Sequence, residues 1–328
     1  EIVRDVSKDP HFFQGADDKT GFQTRSLLCA PMSVKDEKIG AIEVVNKRSR
    51  DGLFENTDLH LLQVLSSSAG LALMNARMAE ALVEQERVRR EMELAAEIQR
   101  SLLPESQDSI FPVHGVNVPA RTVSGDFYDF FEIADGRICF SLGDVSGKGM
   151  NAALLMAKTA SLFRALGKTS PEPGYLLSRI NAEICETAAR GMFVTMAAGV
   201  YNPTTGELTI ANAGHEPPLV HRGGELYESL EADSPPLGIV PPLDDEPFPE
   251  TSLNIDNSTL YIFTDGVTEG YRPNGEPLEV AGLKELLDQS ADDPMQSRLE
   301  FIATYLQNVP TPLRDDLTVL AVEGRKLT

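Results

Sequence analysis

Four aspartates sit in settings that suggest shared chemistry. Asp126 lies within Gly-Asp-Phe-Tyr-Asp and Asp144 within Gly-Asp-Val-Ser-Gly-Lys-Gly. Asp265 lies within Thr-Asp-Gly-Val-Thr-Glu, and Asp315 precedes Asp316-Leu317-Thr318-Val319. Each is placed at the end of an apparent strand, beside Gly or a second acid. A single Asp-Gly after a strand is ordinarily a turn. Four such acids on apolar strands predict a cluster at converging strand ends. Carboxylates gathered there would repel one another, raise their own pKa values and cost stability. Divalent cations remove that cost, and hard cations such as Mg²⁺ and Mn²⁺ prefer carboxylate, carbonyl and water oxygens. Two such ions carry the charge that four aspartates balance, so the residues predict a two-metal site.

Neighbouring residues leave several roles open. The second acids, Asp129 and Asp316, could serve as ligands in place of their neighbours. Arg121, five residues before Asp126, could grip a phosphate bidentately or simply line a strand edge. His215 reads as a histidine capping the turn before Pro217-Pro218, with proton donation as the alternative. Lys148 opens an expected helix and reads as structural or regulatory. Two other phosphate chemistries are disfavoured. The segment from Cys185 to Arg190 has one residue too few for a cysteine-phosphatase loop. The segment from Gly143 to Gly149 is one residue short of a P-loop and lacks Ser or Thr after its Lys.

The elements that must position these residues are strand-like runs at 116–123, 137–145, 193–201, 207–213, 259–264 and 317–323. Helical stretches fall at 150–166, 174–190 and 295–307. Strands, then helices, then strands predict an α+β domain with antiparallel sheets over 104–328. The Pro- and acid-rich segment 233–250 reads as a loop.

Upstream, 1–70 reads as a small mixed domain, with strands at 26–33 and 38–46, a turn at Asp36-Glu37, and a helix from 57. That helix meets no terminating Gly or Pro from 71 to 103, and Pro104 ends it. Within it Met74, Met78, Ala81, Gln85, Val88, Met92, Ala95, Gln99 and Leu102 repeat at 4-3-4-3 spacing, a heptad seam. This predicts a helical coiled-coil linker over 71–103 and a homodimer through it. A single amphipathic helix packed on its own domain is the alternative.

Five motifs carry a resemblance. Gly125-Asp126-Phe127-Tyr128-Asp129, Gly143-Asp144-Val145-Ser146-Gly147-Lys148-Gly149, Asn212-Ala213-Gly214-His215, Thr264-Asp265-Gly266-Val267-Thr268-Glu269 and Asp315-Asp316-Leu317-Thr318 resemble, in order and spacing, the PPM phosphatases of the SpoIIE and RsbU type. The resemblance covers about residues 96–324, and Ser124 stands where this branch usually has a second Gly. It implies a PPM-type β-sandwich flanked by helices and a metal-dependent protein Ser/Thr phosphatase using two Mn²⁺ or Mg²⁺ ions. By that resemblance Asp144 bridges both metals, the Val145 carbonyl adds a ligand, Asp265 and Asp315 bind the other ion, and Asp126 holds a metal or its water. The implied reaction is in-line attack of an activated water on phosphorus, with no covalent phosphoenzyme. The implied substrate is a phosphorylated bacterial regulatory protein such as an anti-sigma-factor antagonist. Further upstream, Ile39-Gly40-Ala41-Ile42-Glu43-Val44-Val45-Asn46-Lys47, then Phe54 and Asp58, resembles the second half of a GAF sensor domain. Leu59 replaces the acidic residue usual after Asp58. No ligand follows from this, and a dimerising or signal-relaying element is the expectation.

Composition narrows the partners. A net charge of −21 argues against nucleic acid and anionic membrane, which attract Lys and Arg surfaces. A two-metal nuclease is therefore a poor alternative. The three cysteines, Cys29, Cys139 and Cys185, have no zinc spacing and read as reduced thiols of a cytoplasmic protein. No signal peptide or membrane-length apolar run is visible. A non-catalytic adaptor that keeps the fold is the competing function, and the presence of all four aspartates argues against it.

Overall fold

The computed structural model describes residues 1–35, 37–104, 111–187, 191–231, 234–241 and 246–326. It divides into two compact units, Glu1–Arg90 and Glu91–Thr328. The turn residue Asp36, the end of the Cys185 segment at 188–190 and parts of the 233–250 segment lie outside the described residues.

The first unit is built on a three-stranded antiparallel sheet in the order β1 (Ile2–Val3), β2 (Leu27–Val34), β3 (Glu37–Val45). A short helix α1 (Gly15–Thr20) lies between the first two. Leu28 and Ala30 of β2 pack with Phe54 and Leu62 into a small core. Lys47 and Asp58 close an ion pair of 2.7 Å that ties the end of the sheet to the start of the next helix. That helix, α2 (Asn56–Leu102), is continuous over 47 residues, one residue from the expected bounds at either end.

The second unit follows from strands that are apolar on both faces. Its elements are β4 (Val113–Val118), β5 (Phe127–Glu132), β6 (Ile138–Val145), α3 (Met150–Gly167), α4 (Pro173–Thr187), β7 (Val194–Tyr201), β8 (Glu207–Ala213), β9 (Leu219–His221), β10 (Tyr227–Ser229), β11 (Glu250–Asn254), β12 (Thr259–Phe263), α5 (Asp265–Thr268), α6 (Glu279–Gln289), α7 (Met295–Gln307) and β13 (Leu317–Glu323). They form two five-stranded sheets, β10-β9-β12-β13-β4 and β11-β8-β7-β6-β5, with antiparallel pairing throughout. Side chains alternate across a strand. Phe140 and Leu142 of β6, Leu260 and Ile262 of β12, and Leu320 and Val322 of β13 therefore fill the space between the sheets. Their neighbours Cys139 and Val145 pack with α3 and α4. Tyr261, Phe263, Val319 and Ala321 pack with α6 and α7. The result is a β-sandwich with helices on both outer faces, as the motifs implied.

Three expectations are corrected. The strand expected at 116–123 runs from Val113 to Val118, and 119–126 is a loop leading to the site. β5 was hidden inside the Gly-Asp-Phe-Tyr-Asp motif, so Asp126 precedes a strand instead of following one. Ala95 and Gln99, placed in the heptad seam, are packed against the second unit's own Val123 and Ala153 together with Ala96. Other seam positions are open: Met78 is 59% and Val88 40% exposed.

Candidate active site

The four aspartates arrive at one end of the sandwich from both sheets. Asp126 enters β5 and Asp144 closes β6; the register pairs Phe127 with Gly143, which sets the two acids side by side. Asp265 follows β12 and Asp315 precedes β13, which pair at Phe263 and Val319. Gly266 is required for this convergence. A Cβ there would stand 1.9 Å from the Asp316 carbonyl oxygen, a separation no side chain tolerates.

Asp126 is buried and crosses between the sheets. Its Oδ2 accepts from the hydroxyls of Thr264 at 2.8 Å and Thr318 at 2.7 Å. Burial, then the Asp144 charge, pushes the Asp126 carboxyl well above its ordinary value. Asp144 is pushed up by burial; a hydrogen bond from Asp126 opposes this, and the charges of Asp315 and Asp316 add to it. Asp265 is pushed up to about 6, first by burial and then by the charges of Asp144, Asp315, Glu269 and Glu216. Asp315 is partnered differently: its Oδ2 lies 2.8 Å from Lys148 Nζ, which also donates to the Arg314 carbonyl at 2.7 Å.

The second acids have other work. Asp316 accepts from the backbone N–H groups of Ala120 and Gly125, each at 2.7 Å, and from the Ser124 hydroxyl at 3.0 Å. It shapes the 119–126 loop. Ser124 returns the favour by accepting from the Asp126 N–H at 3.0 Å, so the Ser at this position carries a bond that Gly could not. Asp129 is buried against α3, where Arg164 donates to it through both Nε, at 2.8 Å, and Nη2.

His215 is 3% exposed, and burial pushes its imidazole down to about 4. Nδ1 lies 3.0 Å from the Thr195 hydroxyl, which in turn reaches the Asp144 carbonyl at 3.5 Å. The backbone of His215 is bracketed by Asn212, whose side chain accepts from its N–H at 2.8 Å and donates to its C=O at 3.1 Å. The side chain that caps this turn is therefore Asn212, where the sequence pointed to His215, whose own ring faces Thr195. Arg121 is exposed and lines a shallow depression with Lys148, Arg314, Gly125 and Asp315. Gln99 was not expected at the site. Its carboxamide accepts from Ser124 N–H at 3.1 Å and donates to the carbonyls of Ser124 at 2.9 Å and Ala153 at 3.2 Å. No local signal marks that role.

The residues suit hard cations by donor type and charge. All donors are oxygens, and burial together with neighbouring carboxylate charges raises Asp126, Asp144 and Asp265, a cost that a bound cation would offset. Gly125 leaves the Val145 carbonyl open, since a Cβ at 125 would stand 3.1 Å from that oxygen. As the side chains stand, no three of His, Cys, Asp and Glu among the described residues close on one point.

The family model described as Stage II sporulation protein E (SpoIIE) matches residues 134–325, and the GAF domain model matches residues 2–73. The phosphoserine phosphatase RsbU of Bacillus subtilis (strain 168) is 30% identical over 245 residues, which cover 74% of this chain and 72% of that protein. Protein IcfG of Synechocystis sp. is 31% identical over 218 residues, covering 57% of this chain and 34% of IcfG. Among solved structures, the SiaA-PP2C domain of Pseudomonas aeruginosa superposes with a TM-score of 0.63 at 21% identity, covering 73% of this chain and 98% of that domain. At that identity the likeness speaks for the fold.

Proposed function

The chain belongs to the SpoIIE family, and from that premise we propose that its second unit hydrolyses phosphoserine or phosphothreonine on a regulatory protein. The observation that supports this reading is the convergence of Asp126, Asp144, Asp265 and Asp315 from four strand ends, with Asp126, Asp144 and Asp265 raised in pKa by burial first and then by neighbouring carboxylate charges.

In this reading Asp126, Asp144, Asp265, Asp315 and the Val145 carbonyl hold two Mn²⁺ or Mg²⁺ ions. When bound, such ions lower the pKa of a water and offset charge on phosphoryl oxygens. The chain's own residues do the rest. Thr264 and Thr318 fix the Asp126 carboxylate, and Asp316 fixes the loop that carries it. Asp315 is paired with Lys148; were Asp315 to hold a cation instead, Lys148 would stand beside Arg121 and Arg314, where it could meet a phosphate. His215 is buried and its imidazole is pushed down to about 4, so it carries no proton to donate near neutral pH and is not assigned as the general acid.

The division 1–70, 71–103 and 104–328 is read as sensor, linker and catalytic domain. The linker's open apolar seam positions, among them Met78 and Val88, would pair two chains. No helix among the described residues is long and apolar enough to cross a membrane, and the free thiols fit a cytoplasmic setting. The test is phosphate release from phosphorylated regulatory proteins with and without Mn²⁺, beside Asp144→Ala. Tight binding of the phosphoprotein without release would leave the adaptor reading in its place.

A further inference from the structure

The first unit contains a cavity of about 620 Å³ at the end of its sheet, lined by Arg4, Arg25, Lys47, Arg48, Arg50 and the ring of Phe22. This is an unusual concentration of positive charge in a chain with 50 acidic and 29 basic residues. The acid on its wall, Asp51, is engaged within the loop, where its Oδ1 accepts from the Ser49 hydroxyl at 2.7 Å and the Leu53 N–H at 3.3 Å. Lys47 is committed to Asp58. The guanidinium groups of Arg4, Arg25, Arg48 and Arg50 have no carboxylate partner among the described residues.

The wall is built, not a chance gathering of loops. Asn46 adopts φ 54°, the left-handed region, and so turns its side chain back across the strands. Its Oδ1 accepts from Arg25 N–H at 2.7 Å and its Nδ2 donates to the Gln23 carbonyl at 2.8 Å. The buried Ser26 hydroxyl donates to the Gly52 carbonyl at 2.9 Å, which anchors the far end of the 47–52 loop. These bonds fix the backbone that carries Arg25 and the loop that carries Arg48 and Arg50, whose side chains are exposed along the cavity wall. Several cations along one cavity wall make a positive potential that attracts an anion. Guanidinium forks match phosphate oxygens in pairs, and the volume falls within the roughly 300–1,000 Å³ typical of small-molecule sites. Phe22, half exposed at the rim, offers a flat apolar face.

We propose that this cavity binds a small polyphosphate-bearing ligand of nucleotide size, held by Arg25, Arg48 and Arg50. The site is separate from the proposed phosphatase centre and stands whether or not that reading holds.

The test is calorimetric titration of the whole chain with inorganic tripolyphosphate and with ATP, both in EDTA to silence any cation-mediated binding. One saturable site per chain with a Kd of about 100 µM or tighter is expected, weakening as salt is raised. Arg48→Ala/Arg50→Ala should weaken binding about tenfold or more, while Asp144→Asn leaves it intact. The melting midpoint of the arginine variant checks that it is folded. Tighter binding of ATP, with the surplus lost in Phe22→Ala, assigns a nucleotide; equal binding assigns the phosphate chain alone. Either supports the site. No saturation by either probe at about 1 mM, binding that survives the double arginine change, binding lost in Asp144→Asn, or capture of polyglutamate instead of tripolyphosphate would overturn it.

Discussion

Gln99 holds both backbone polar groups of Ser124, accepting from its N–H at 3.1 Å and donating to its C=O at 2.9 Å. Two residues beyond Ser124 stands Asp126. The end of α2 is therefore bonded to the loop that delivers a proposed ligand, and through the Ala153 carbonyl to the first turns of α3.

Replacing Gln99 with Ala strands buried donors and acceptors. The cost should be about 1–3 kcal/mol of unfolding free energy. Gln99→Glu distinguishes bonding from packing. A carboxylate can accept from Ser124 N–H but cannot donate to the two carbonyls, so it should be at least as destabilising as Ala. Urea unfolding of the three proteins checks this, and a Glu variant as stable as the parent would refute it.

Gln99 also illustrates what sequence could and could not show. The heptad spacing placed it correctly on a long helix, because helical periodicity is local. It could not show that the seam's last turn is covered by the same chain, since Ser124 and Ala153 are distant in sequence. The same limit hid the end of β4. The apolar run continues to Val123, but Asp316 takes the N–H groups of Ala120 and Gly125 and bends the chain away from the sheet. The aspartates were legible because Gly and a following acid punctuate their strands. β5 is hidden because Phe127 to Phe130 are buried at every position, so the strand shows no polar–apolar alternation. Asp129 and Asp316 could be told from their neighbours only by their partners, Arg164 and the loop backbone.

Asp265 gives the metal-free protein a pH signature. Its folded pKa, pushed up to about 6, lies above that of an unfolded aspartate. The folded state thus holds the proton more tightly, so this group's stability is fully present below the unfolded pKa near 4 and is lost as pH rises through about 6. Melting in EDTA should show this fall between pH 4 and 6, and Asp265→Asn should flatten it. Added Mn²⁺ should restore stability above pH 6. A melting curve unaffected by Mn²⁺ at pH 7 would contradict the assignment of these acids as ligands.

His215 works in the opposite direction. Burial pushes its imidazole down to about 4, below an unfolded value near 6.5. The unfolded state takes up the proton first, so the stability it contributes is full above pH 6.5 and is lost as pH falls through about 4. The whole interval is worth on the order of 3 kcal/mol. His215→Gln should cost stability at pH 7 yet remove most of this acid loss, read as the difference in urea midpoint between pH 7 and pH 4.5. An unchanged difference would mean that the imidazole is protonated or exposed in the folded protein.

The last prediction concerns α2 as a carrier of orientation. The helix is unbroken over 47 residues, which span roughly 70 Å at 1.5 Å per residue. Its final turns are fixed to the second unit by Ala96 and Gln99. Its earlier turns leave the seam residues Met78 and Val88 exposed. Exposed apolar residues at heptad spacing favour pairing, and the polar Gln85 within that stretch weakens it. Two arrangements a few kcal/mol apart form a bistable element that a signal can bias. One Ala inserted after Glu84 turns the two parts of the helix relative to one another by roughly 100°, because a turn holds 3.6 residues. Seven inserted residues nearly restore the phase. The insertion lies upstream of Gln99, so the bonds to Ser124 persist in both variants, and a change in rate reports phase and not loss of that anchor. Phosphatase rate and dimer mass are the measurements. The single insertion should alter the rate while the seven-residue insertion leaves it near that of the parent, with dimers in both. Parental rates in both variants would make α2 a spacer, and monomers in the parent protein would remove the seam from the account.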